Sequence, residues 1–237
     1  MTPPELYTKN LSTVVSDAEL RKALPSFQRQ VSGDFAPHHG QDANLIFLAR
    51  DQAVPAGGRV LWLLDDADQA GALGYHDLAA DGAPIGKVFA KTTVDNGGLW
   101  TVTYSHELLE MLADPNINLV AFDEAHHRLY AYEVCDAVED DSLGYEIDGV
   151  RVSDFVLPGW FEPTHVAHGE RFAFKASVPR PFALLRGGYI SAFDVRAGSW
   201  RQLTADLAPD DGPVDGKHSR QERRERPAHS WRRSTAV

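Results

Sequence analysis

Cysteine is nearly absent from this 237-residue chain, where Cys135 stands alone. A single thiol excludes an intramolecular disulfide framework and any zinc site of the multi-cysteine type, so a metal would have to sit on histidine and carboxylate. Positive charge is also scarce, with 23 Lys and Arg against 34 Asp and Glu and a formal net charge of -11. That balance argues against non-specific nucleic-acid binding by the main body and disfavours acidic substrates. No apolar run approaches the roughly 20 residues of a membrane span. The opening Met1-Thr2-Pro3-Pro4-Glu5 lacks the basic run and apolar segment of a signal peptide, so a cytoplasmic chain with no membrane partner is expected. Phosphate-cradling glycine loops are missing as well. Gly57-Gly58, Gly97-Gly98 and Gly187-Gly188 read as turns.

What is present suffices for a buried core, at 43% apolar and 24% charged residues. Residues 16 to 31 read as a helix capped by Ser16 or Asp17, with Leu20, Ala23, Leu24, Phe27 and Val31 as its stripe and Pro25 as a bend. Strand-forming runs follow at 44–49 and 59–64, expected to be neighbours, and at 72–78 and 84–90, joined by an Asp81-Gly82 turn. A second helix is expected over 99–113, stopped by Asp114-Pro115. A hairpin is expected at 119–122 and 128–134, then an acidic loop, Glu139-Asp140-Asp141, that is solvated or holds a cation. Late strands are expected at 172–178 and 189–193. The pattern is α+β, one domain over residues 1–207. Beyond it, residues 208–237 carry seven Lys or Arg against five acids and almost no aliphatics, the composition of a disordered tail.

The stretch with chemical content is Ser105-His106-Glu107-Leu108-Leu109-Glu110, on the second helix. His106 and Glu110, four apart, share one helical face, so an imidazole and a carboxylate can converge on one ion. Glu107 lies about 100 degrees round the helix, where the related H-E-x-x-H arrangement places a general base for metal-activated water. Chance supplies about 0.05 such matches in a chain of this composition, so context must decide. The plain alternative is an amphipathic helix whose leucines are core and whose His106, Glu107 and Glu110 face water. For a further ligand Glu133 ranks first and Asp136 second. Asp136 can instead orient the His106 ring through its other nitrogen, and Asp114 is expected to shape the loop after the helix. Cys135 reads as a buried, inert thiol, and His38-His39 and His126-His127 as structural or exposed.

The run Ser105-His106-Glu107-Leu108-Leu109-Glu110 with Asp114-Pro115 resembles the S-H-E-x-x-E-x-x-x-D-P stretch of bacterial, phage and secreted zincin-like proteins. Tyr132-Glu133-Val134-Cys135-Asp136 resembles the E-x-x-D segment that follows there, and residues 152–161 the closing tryptophan segment. The resemblance spans roughly residues 15 to 165. It implies a zincin-like fold with an active-site helix, a zinc site on His106, Glu110 and Glu133 or Asp136, Glu107 as base, and a peptide or protein substrate. Tyr104, Tyr132 or His76 would stabilise the oxyanion, and the sequence does not choose among them. In such a fold the strand carrying His76 borders the cleft and can pair with a peptide. The departure from H-E-x-x-H at Glu110 keeps a second expectation open, a non-catalytic structural or assembly protein on the same scaffold, for example a virion component if the chain is phage-encoded.

Overall fold

The first strand, β1 (Glu5–Asn10), is a segment that hydrophobic patterning does not single out, because Thr8, Lys9 and Asn10 are buried in it. Its polar groups are satisfied locally: the Asn10 side-chain amide donates to the Val15 carbonyl at 2.8 Å and to Asp17 Oδ1 at 2.9 Å. A computed structural model describes residues 2–162 and 171–205, and the tail expected at 208–237 lies outside them. Helix α1 (Asp17–Arg29) begins at Ser16 with a reciprocal capping box, Ser16 Oγ accepting from the Glu19 amide while the Ser16 amide donates to Glu19 Oε2. It runs through Pro25, becomes a π-helical turn over Gln30–Phe35 and ends in the short α2 (Ala36–His39).

Strands β2 (Asn44–Leu48), β3 (Arg59–Leu64), β4 (Gly74–Leu78) and β5 (Pro84–Phe89) join β1 in a five-stranded sheet of order β2-β1-β3-β5-β4. The expected adjacency of the 44–49 and 59–64 strands is corrected here. β1 lies between them, parallel to both, with Tyr7 paired to Ile46 on one side and to Val60 on the other. β4 lies at the edge opposite β2 and is the antiparallel member, closing on β5 as a hairpin.

The chain then turns through α3 (Ala90–Asp95) into α4 (Trp100–Ala113), which packs on β5, β4 and β3. Val102 and every residue from Tyr104 to Ala113 is buried, so α4 is covered on all sides rather than amphipathic. The reading that puts His106, Glu107 and Glu110 on a water-facing surface is thereby excluded. Phe27 of α1 stacks on Tyr104 at 4.4 Å between ring centroids, a contact of about 0.5 to 1.5 kcal/mol beyond area burial. The N-terminus of α4 is capped by the acidic loop: Asp141 Oδ2 accepts from the Leu99 amide at 2.8 Å, where the helix dipole favours negative charge.

After α4, Asp114 accepts the amides of Asn118 and Leu119 at 3.1 and 2.9 Å and shapes the exit loop. Strands β6 (Val120–Asp123) and β7 (Arg128–Ala131) form the expected hairpin. A 3-10 turn over Asp136–Val138 and a small hairpin of β8 (Tyr145–Ile147) and β9 (Val150–Val152) follow. β10 (Tyr189–Asp194) and β11 (Ser199–Thr204) complete a second antiparallel sheet of order β11-β10-β7-β6. The strand expected at 172–178 is replaced by irregular chain with a single bridge, Val156 to Ala173. Phe155, Val156, Trp160, Phe161 and Phe172 from this part enter one apolar core that runs from Leu6 to Ala192. The fold is α+β, and no helix among the described residues is long and apolar enough to cross a membrane.

Candidate metal centre

Two residues position α4 before any chemistry begins. Ser105 Oγ accepts the Ser153 amide at 2.6 Å and donates to the Val102 carbonyl at 3.0 Å, tying the helix to the segment after β9. On the other side, Gly74 of β4 lies so close that a Cβ there would stand 2.7 Å from Glu107 Cγ and 3.0 Å from the Lys87 carbonyl oxygen. A glycine at this point lets the edge strand approach the helix. Because residues two apart in a strand share a face, His76 is directed at α4 with Gly74.

Around this contact the side chains converge. His106 Nε2 is 3.2 Å from Glu110 Oε1 and 3.2 Å from Asp136 Oδ1. His76 Nδ1 is 3.8 Å from Glu107 Oε2 and 3.8 Å from Glu110 Oε2, and its Nε2 is 3.8 Å from Glu133 Oε2. Glu110 Oε1 also accepts the Cys135 amide at 3.2 Å. All six side chains are buried, Glu110 and Asp136 completely. Of the two carboxylates expected to join His106 and Glu110, Asp136 is the one within reach, and Glu133 faces His76 instead.

Four buried carboxyl groups stand here with two imidazoles, a set of donor groups that a cation could join. Burial by itself depresses the His106 pKa. The carboxylates of Glu110 and Asp136 and the charge of Glu107 outweigh that and raise it well above 6.5. Ligand atoms from His106, Glu110 and Asp136 lie within 4.8 Å of one another, so these three residues could hold a metal ion.

A cleft of about 420 Å³ is lined by His106 and Glu107, by Gly71 to Gly74 at the start of β4, by Glu139 and Asp141, and by Tyr189 and Gln202 of the second sheet. Tyr189 and Gln202 carry no motif and come from β10 and β11, while Glu139 and Asp141 belong to the acidic loop that the sequence marks.

The two tyrosines considered for oxyanion stabilisation are elsewhere. The Tyr104 hydroxyl is 2.5 Å from Thr8 Oγ1, fully buried between α4 and β1, and burial pushes its pKa up. Tyr132 stacks on Phe161 at 3.9 Å and meets the edge of His39. Cys135 is buried, and burial together with the neighbouring carboxylate of Glu110 holds its thiol protonated, as an inert residue requires. Comparison with protein-family models, with curated proteins and with solved structures returns no match for this chain.

Proposed function

We propose that this chain is a zincin-like, zinc-dependent hydrolase of peptide bonds, with His106, Glu110 and Asp136 holding the ion and Glu107 acting as base. The observation that carries the reading is the convergence of His106 and Glu110, one helical turn apart, with Asp136 at 3.2 Å, beside a cleft that His106 and Glu107 line. Held by His106, Glu110 and Asp136, zinc would supply Lewis acidity for the activation of water and the polarisation of a carbonyl. The Glu107 carboxylate then accepts the proton of water entering from the cleft and returns it to the leaving amine. An extended peptide is the substrate that suits the cleft wall, since β4 is an edge strand of its sheet and strand addition is a common way to bind a peptide. The oxyanion partner would come from the cleft wall, because the Tyr104 hydroxyl is engaged with Thr8.

The burial of Glu110 and Asp136 favours one other reading, an ion that stabilises a non-catalytic scaffold. Elemental analysis of wild type beside Asp136→Ala, with a peptidase screen controlled by Glu107→Gln, tests both. The hydrolase reading expects zinc in wild type, its loss in Asp136→Ala, and peptide cleavage that Glu107→Gln abolishes while zinc stays at the His106, Glu110 and Asp136 position. Zinc without cleavage, coupled to a large fall in melting temperature on chelation, supports the scaffold. Absence of metal from wild type after zinc is added sinks both.

A further inference from the structure

We propose that the centre holds two divalent cations rather than one, with Glu110 bridging them and a second position formed by His76, Glu107 and Glu110. This rests on the reading of His106, Glu110 and Asp136 as the first position. Ligand atoms of His76, Glu107 and Glu110 form a second buried group within 4.8 Å of one another, and it shares only Glu110 with the first. The two oxygens of that carboxylate are divided between the groups. Oε1 faces His106 and Oε2 faces His76. A carboxylate presented in this way bridges ions roughly 3.5 to 4 Å apart, the separation found in two-metal hydrolytic sites.

The distances in the second group are those of ligands around an ion. At 3.8 Å, His76 Nδ1 is too far from Glu107 Oε2 and Glu110 Oε2 for hydrogen bonds. The separation is close to the roughly 3.4 Å edge between ligands of a tetrahedral ion with bonds of about 2.1 Å. At the other ring nitrogen, Nε2 stands 3.8 Å from Glu133 Oε2, so a further carboxylate lies beside the His76 ring. Glu133 is thus given a position that the first ion alone does not explain.

The backbone supports the same conclusion independently. Gly74 removes the side chain that would otherwise stand 2.7 Å from Glu107 Cγ, and that close approach of β4 to α4 puts His76 beside Glu107. Ligation through Oε2 leaves Glu107 Oε1, on the Gly74 side, to accept a proton. One imidazole with carboxylate oxygens suits zinc or manganese(II).

The test is a titration of metal-stripped protein with zinc and, separately, with manganese(II), read by calorimetry, by elemental analysis and by electron paramagnetic resonance. Wild type is expected to bind two ions per chain, with two manganese ions giving an exchange-coupled spectrum. His76→Asn is expected to bind one and give the signal of an isolated ion, and Glu133→Gln to weaken only the second step, by about 10- to 100-fold. One ion in wild type, unchanged in His76→Asn, overturns the second position and leaves the first intact. No ion in wild type overturns both. Should His76→Asn fail to fold, the wild-type stoichiometry and the Glu133→Gln titration decide.

Discussion

Glu110 stands between two histidines, with Oε1 3.2 Å from His106 Nε2 and Oε2 3.8 Å from His76 Nδ1. Among the described residues Glu110 is the member shared by both groups of candidate ligands, so it is the residue on which all metal binding should depend. Glu110→Gln keeps the shape and removes the charge. It is expected to lose metal altogether, by more than the roughly 10- to 100-fold that removing an outer hydrogen-bond partner costs. Elemental analysis after dialysis against zinc, with circular dichroism to confirm the fold, measures this. Retention of wild-type metal content in a folded Glu110→Gln protein would exclude the centre described above.

The approach of β4 to α4 can be tested through Gly74 alone. A methyl group there meets Glu107 Cγ at 2.7 Å, Glu107 Oε1 at 2.9 Å and the Lys87 carbonyl oxygen at 3.0 Å, and the last of these is backbone that cannot swing aside. Gly74→Ala is expected to lower stability by about 1 to 3 kcal/mol, the usual cost of overpacking, and to displace Glu107 from the cleft. Denaturant unfolding measures the first effect. A fall in peptide turnover larger than the loss of folded protein measures the second, and unchanged turnover would show that Glu107 tolerates displacement.

Ser105 occupies the first position of the S-H-E stretch without touching the cluster. Its hydroxyl accepts a buried amide from Ser153 and donates to Val102, so Ser105→Ala strands the Ser153 N–H in the core. Leaving such a donor unsatisfied costs about 1 to 3 kcal/mol. The expected result is a lower urea midpoint with metal stoichiometry retained. Loss of metal at unchanged stability would mean that Ser105 acts on the ligands and not on the helix.

How far these features could be read in advance depends on how local their causes are. The helix of the candidate site was legible because His106, Glu107 and Glu110 are fixed by helical spacing, and Asp114-Pro115 ends the helix by a steric rule that acts between neighbours. The β4–β5 hairpin was legible from its Asp81-Gly82 turn. β1 was not, because Thr8, Lys9 and Asn10 are buried through contacts with Tyr104, Gln52, Val15 and Asp17 that no alternation announces. Missing β1 made β2 and β3 look adjacent. The choice between Glu133 and Asp136 was equally out of reach: the chain turns sharply after β7, and that turn sends Asp136 to His106 and Glu133 to His76. Gly74 and His76 did carry a signal, since their two-residue spacing puts both on one strand face. It became decisive only once α4 lay against that face.

A pH dependence of stability follows from His39, away from the cluster. Its ring stacks on Phe35 at 4.4 Å, meets the edges of Phe155 and Tyr132, and donates from Nε2 to the Val156 carbonyl at 3.0 Å. Burial pushes its pKa down to about 4, with the Val156 carbonyl opposing and the charge of His38 assisting. An unfolded histidine titrates near 6.5, so between pH 6.5 and about 4 the unfolded chain binds a proton that the folded chain does not. Stability contributed by the neutral ring is therefore full above pH 6.5 and is lost as the pH falls toward 4. At 1.36 kcal/mol per pH unit the loss is at most about 3 kcal/mol. Urea unfolding of wild type and His39→Gln across pH 4 to 8 isolates this group, because every other titration is common to both. The difference between the two stabilities should be flat above pH 6.5 and fall steadily below it. Parallel curves would mean that the His39 ring takes up its proton as readily in the folded protein as in the unfolded chain.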